Sequence, residues 1–91
     1  MTEIKISVRL SQAETDYLCN ADFLDAQQIE ALQDAARSAP PGATLHLTRG
    51  DALAFTYKFT TRLAEVGFDK NYDPTPEGRM LEDFIDRFFV P

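Results

Sequence analysis

Apolar and polar residues alternate from Glu3 to Leu10: Ile4, Ile6, Val8 and Leu10 fall on one side, and Lys5, Ser7 and Arg9 on the other. A period of two rich in β-branched residues predicts a half-buried strand. The alternation stops at Ser11, and Glu14 follows three positions later. A serine hydroxyl that accepts from the third helical amide, with a glutamate reaching back to the serine amide, is a capping box. It predicts a short helix over residues 12–20, with Ala13, Tyr17 and Leu18 on its buried side. After a turn at 20–24, Asp25 and Gln28 form a second N-terminal signature, and Ile29, Leu32 and Ala36 make the apolar stripe of a helix over 26–37. Ser38, Ala39, Pro40, Pro41 and Gly42 end that helix, because two prolines and a glycine support neither helix nor central strand. This is the best internal boundary in the pattern, yet it is too short to tether separate domains.

A second strand is predicted over Ala43–Leu47, with Leu45 and Leu47 inward and Thr44 and His46 outward. Residues 51–60 fit two patterns. Leu53, Phe55, Tyr57 and Phe59 alternate with Ala54, Thr56 and Lys58, as in a hairpin strand reached through Arg49-Gly50. Alternatively, Ala52, Phe55, Phe59, Leu63 and Val66 lie on one helical stripe. The helical pattern runs on to Val66 whereas the alternation fails after Phe59. Thr48 and Asp51 offer a cap, and Gly67 a C′ residue, so helix is the better reading. Residues 68–74 read as an irregular loop whose aromatics, Phe68 and Tyr72, are expected against the core. Thr75 then caps a last helix with Pro76 at its first position. Met80, Leu81, Phe84, Ile85 and Phe88 form its apolar stripe, opposite Glu82, Asp83, Asp86 and Arg87. The expected fold class is α+β: a two-stranded sheet packed against about four helices, in the order β-α-α-β-α-α. A hairpin at 51–60 would make it three strands.

Composition narrows the function classes. The 91 residues are 44% hydrophobic and 26% charged, which suits a single small globular domain over 1–91 rather than a disordered tail. No apolar run approaches the roughly 20 residues that a bilayer crossing needs. The start of the chain has no basic–apolar–small signal, and the one cysteine, Cys19, cannot form an internal disulfide. The expected location is therefore cytoplasmic. The net charge of −6 disfavours non-specific attraction to nucleic acid or anionic lipid.

The sequence Ile6-Ser7-Val8-Arg9-Leu10-Ser11-Gln12-Ala13-Glu14 lines up with Ala43-Thr44-Leu45-His46-Leu47-Thr48-Arg49-Gly50-Asp51: strand, hydroxyl cap, two residues, acid. Each is followed by two helical segments, so the chain reads as a candidate duplication of one βαα unit. The run Lys5-Ile6-Ser7-Val8-Arg9-Leu10, with a short helix and a second helix after it, resembles the ribbon-helix-helix family of DNA-binding proteins. That resemblance implies that two strands pair into an antiparallel ribbon whose outward side chains enter the major groove. It covers residues 5–38, and a second unit over 43–89 would complete a single-chain pseudo-dimer. The outward residues would be Lys5, Ser7, Arg9, Thr44 and His46, none of them acidic, with Lys5, Arg9 and His46 as contacts and Arg49 on phosphate. The chain departs from the family pattern at the second helix. Asp25, an anion, stands where a phosphate should dock, and residues 11–41 carry a net −5.

No constellation supports catalysis, a cofactor or a metal. Cys19 and His46 are the only residues of their kinds, and nothing in the pattern brings them together. Asp69, Asn71 and Asp73 have the spacing that opens a calcium loop. However, Pro74 stands where its glycine belongs and Met80 where its last glutamate belongs, so turn capping is the simpler role. Arg49-Gly50-Asp51 spells an adhesion tripeptide but begins a helix. The reading that remains is a small acidic, non-catalytic interaction or regulatory module with a protein partner. Its candidate contacts are the acidic Asp22 and Asp25 and the C-terminal Phe89 and Val90, which either fold back on the core or form a patch for a partner or a second copy. DNA binding through the strand face is the alternative.

Overall fold

In the computed structural model, which describes residues 5–38 and 40–89, the elements are β1 (Lys5–Leu10), α1 (Gln12–Cys19), α2 (Ala26–Ser38), β2 (Ala43–Thr48), α3 (Arg49–Val66) and α4 (Pro76–Arg87). The class is α+β in the expected order, and residues 51–60 are helical. The chain divides into two compact units, Met1–Arg49 and Gly50–Pro91. The division therefore falls after β2 and not at the Pro-Pro-Gly turn. Strand pairing decides this: β1 and β2 form an antiparallel two-stranded sheet, which ties residues on both sides of that turn together.

In the first unit the register pairs Ile6 with Leu47, Val8 with Leu45 and Leu10 with Ala43, and all of these but Ile6 are buried. α2 packs against β2, and α1 against α2, with Leu18 and Leu32 fully buried. Both helix starts are built as the sequence indicates. Ser11 and Glu14 form a complete capping box, and Asp25 Oδ1 accepts from the Gln28 amide at 2.8 Å while Gln28 Oε1 accepts from the Asp25 amide at 3.1 Å. The buried side of α1 differs from expectation. Ala13 is exposed and Tyr17 half-buried, whereas Thr15 is buried, its hydroxyl donating to the Ser11 carbonyl at 2.8 Å. A hydroxyl satisfied by its own helix behaves as a small apolar group, so hydropathy alone misplaces it. Ile29 and Ala36 are likewise only half-buried on α2, where Gln28 joins Leu32 inside. Gly42 follows the prolines with φ 82°, and a Cβ there would overlap the Leu10 carbonyl oxygen, so the turn requires glycine. Its amide donates to Gln12 Oε1 at 3.0 Å.

The second unit is an α3–loop–α4 hairpin around four phenylalanine rings. Phe55 lies 5.2 Å from Phe88 between centroids, and Phe59 lies 5.3 Å from Phe84 and 5.0 Å from Phe88. Ala52 and Leu81 complete the buried set. The connection is tied at its base. The Thr75 hydroxyl donates to the Val66 carbonyl at 2.8 Å and accepts from the Gly78 amide at 2.9 Å, and the Thr75 amide donates to the Gly67 carbonyl at 2.9 Å. Gly78 lies so near Gly67 that a Cβ on it would sit 2.7 Å from the Gly67 Cα. Two glycines thus mark the place where the end of α3 meets the start of α4 most closely.

Candidate interaction surfaces

The antiparallel register gathers Lys5, Ser7, Arg9, Thr44, His46 and Thr48 on the outward face of the sheet, as the alternation requires. Lys5, Ser7, Arg9 and His46 are exposed. Cross-strand pairs link them: Ser7 Oγ is 3.1 Å from His46 Nδ1, and an Arg9 guanidinium nitrogen donates to Thr44 Oγ1 at 3.1 Å. Both strands are built from alternating residues, so every polar side chain on this face follows from the pairing, and no acidic residue is among the six. Arg49, the fourth residue suggested for nucleic acid, is exposed at the first position of α3.

A second surface lies on α3. Ala52, Phe55 and Phe59 point inward, while Leu53 is 52% and Tyr57 70% exposed, and Ala54, Thr60, Thr61 and Ala64 are exposed with them. At 3.6 residues per turn, Leu53, Tyr57, Thr60, Thr61 and Ala64 occupy about a 100° sector opposite the core stripe. No charged residue falls in it. The threonines present methyl groups there, because the hydroxyls of Thr60 and Thr61 donate back to the carbonyls of Thr56 (2.9 Å) and Tyr57 (3.0 Å). Phe68, two residues beyond the helix, adds a ring that is 47% exposed. The sequence carried this signal in a disguised form. Leu53, Phe55, Tyr57 and Phe59 alternate because the helix is apolar on two opposite faces, a pattern that also mimics a strand.

The partner contacts suggested by the sequence are dispersed. Asp22 and Asp25 are exposed, but the Asp25 carboxylate is committed to the start of α2. Phe88 is buried and Phe89 is 67% exposed, so Phe89 does not fold back on the core; Val90 lies outside the described residues. Phe68 and Tyr72 are not pinned inside either. Tyr72 is 86% exposed with φ 64°, because a tight turn, closed by its amide on the Asp69 carbonyl, turns it outward. Within that loop Asp69 Oδ1 accepts from the Asn71 and Asp73 amides at 2.8 and 3.1 Å, the turn-capping role read from the sequence. Cys19 is half-buried on α1, and desolvation, aided by the Asp16 carboxylate, raises its pKa, which keeps the thiol protonated. Among the described residues, Gln28 Nε2 is the one buried side-chain polar atom without a hydrogen-bond partner.

No protein-family model, curated protein or solved structure matches this chain. Among the described residues, no helix is long and apolar enough to cross a membrane.

Proposed function

We propose that this protein is a small acidic interaction module of the cytoplasm that works without catalysis, binding a protein partner through the exposed face of α3. The observation that carries the reading is that face: Leu53 and Tyr57, uncharged neighbours around them, and a core on the opposite side of the same helix. A helix that is apolar on both sides leaves one side to be covered. Aromatic residues such as Tyr57 are the ones that anchor protein interfaces, and Phe68 and Phe89 add exposed apolar surface. The net charge of −6 favours a partner with basic character around the contact.

The test is affinity capture with the wild-type chain and with Leu53→Glu/Tyr57→Glu, both verified as folded by circular dichroism. A partner retained by the first and lost by the second supports the reading; equal retention sinks it. The sheet face favours a second reading, nucleic-acid binding, because the register places Lys5, Arg9 and His46 together with no acid between them. A duplex of roughly 20–30 base pairs, followed by fluorescence anisotropy at low and moderate salt, decides that alternative. Salt-sensitive binding lost in Lys5→Ala/Arg9→Ala would promote it, and no binding at low salt removes it.

A further inference from the structure

We infer that the occupant of the α3 face is a second copy of this chain, its α3 running antiparallel to the first; this rests on the interaction reading above. The exposed positions are self-complementary. On the helix, residues 57 and 64, and 60 and 61, are symmetric about the point between Thr60 and Thr61. A two-fold axis through that point sets Leu53 of one copy just beyond the end of the other's α3 at Val66. It sets Tyr57 against Ala64, a large residue facing a small one, and Thr60 against Thr61. Small residues at the centre let two helix backbones approach, and the threonine hydroxyls, bonded to their own helix, need no partner across the contact.

Charge fixes the direction. Lys58 and Glu65 lie on the same flank of the stripe, and Glu65 is exposed while it also faces Arg62 at 3.5 Å. In an antiparallel pair the like flanks meet, so Lys58 of each copy comes within one helical turn of Glu65 of the other, on both sides of the axis. A parallel pair would set unlike flanks together, leaving Lys58 and Glu65 of the two copies on opposite sides of the seam with no ion pair between them, and would stack tyrosine on tyrosine. An isologous, closed contact of this kind is the commonest oligomer symmetry. The helical residues that face each other, 55–66, span about 18 Å at ~1.5 Å per residue. Such a contact falls below the ~1,200 Å² low end of stable interfaces, so the dimer forms reversibly and with concentration.

Sedimentation velocity on the full chain from about 10 µM to about 1 mM covers the range in which so small a contact associates. Wild type is expected to shift from monomer to dimer across that range. Tyr57→Glu should weaken association roughly tenfold or more, with an unchanged circular dichroism spectrum. Lys58→Glu and Glu65→Lys should each weaken it, and the double charge reversal should restore it. In a Cys19→Ser background, a short bis-maleimide should link Thr60→Cys, near the axis, and not Leu53→Cys, which lies far from its own copy. A monomer throughout, association indifferent to Tyr57→Glu, or Leu53→Cys cross-linking as readily as Thr60→Cys would each overturn the inference. A monomer that still captures a partner lost by Leu53→Glu/Tyr57→Glu defeats the second copy while the interaction reading survives. A monomer with no such partner defeats both.

Discussion

Single residues fix the joints of this fold, and two of them carry sharp expectations. Gly78 has no room for a side chain, since a Cβ would sit 2.7 Å from the Gly67 Cα. Gly78→Ala should therefore lower stability by about 1–3 kcal/mol despite its higher helix propensity, read as a drop in the urea midpoint at constant slope. At an ordinary helix position the same change would stabilise, so the sign discriminates between packing and propensity. Thr75→Ala removes both the cap on Gly78 and the bond to the Val66 carbonyl and should cost about 1–2 kcal/mol by the same measurement. Thr75 was legible in the sequence as a hydroxyl before a proline. Gly78 was not, because no local pattern distinguishes a glycine tolerated in a helix from one demanded by a backbone lying against it. Cys19 makes a third case. Its thiol holds the proton more tightly than a free thiol, so alkylation by iodoacetamide should reach half its limiting rate at a higher pH in the folded protein than in urea. The sign for stability follows: the proton bound more tightly in the folded state makes a contribution that is lost as pH rises through the thiol range.

At the scale of elements, α3 is the informative one. Strand and helix readings assign Tyr57 and Phe59 differently, since alternation puts them on one side and a helix puts them on nearly opposite sides. In the structure Phe59 is fully buried and Tyr57 is 70% exposed. Phe59→Ala should cost about 3–5 kcal/mol, whereas Tyr57→Ala should stay within about 0.5 kcal/mol of wild type in chemical denaturation of the monomer. Similar costs for both would contradict the helix. The same contrast explains why the candidate interface was hidden. A search for one apolar stripe per helix finds the core stripe and assigns the remainder to an alternative secondary structure. Two stripes on one helix become visible only when burial shows which is inside. The capped helices α1, α2 and α4 each carry a signature at their start that fixes them as helices. Even so, Thr15 on α1 and Gln28 on α2 turn inward where the apolar stripe points to Ala13, Tyr17, Ile29 and Ala36.

Across the whole chain, acidic charge dominates but is unevenly placed, with residues 11–41 at −5 and the outward sheet face free of acids among its six paired residues. On the nucleic-acid reading, affinity for duplex DNA would come from that face and from Arg49, against an unfavourable overall field. It should fall at least as steeply with salt as about two phosphate contacts require, and Lys5→Ala/Arg9→Ala should remove it. The apolar face of α3 obeys the opposite rule: association through uncharged surface should persist or strengthen as salt rises, apart from the part that the Lys58 and Glu65 flanks supply. A salt series of self-association beside one of duplex binding therefore separates the two surfaces in a single protein.

The sequence by itself determined the element order, the helix starts and the facing of the strands, because caps, prolines and periodicities of two and near four act over a few residues. It also determined that Lys5, Arg9 and His46 would share a face once the strands paired. Tertiary structure decided the rest. It set the division of the chain after β2, since pairing between distant strands overrides a proline-rich turn. It placed Gly78 against Gly67, it turned Phe68 and Tyr72 outward where hydropathy sets the loop aromatics inside, and it chose exposure for Phe89, for which the sequence allows either fold-back or a surface patch. It also decided which apolar face of α3 the four phenylalanines would claim. Ring packing between α3 and α4 draws the Phe55 and Phe59 side inward, and the Leu53 and Tyr57 side is left to water. That choice depends on contacts between residues some thirty positions apart, which no local pattern in the chain encodes.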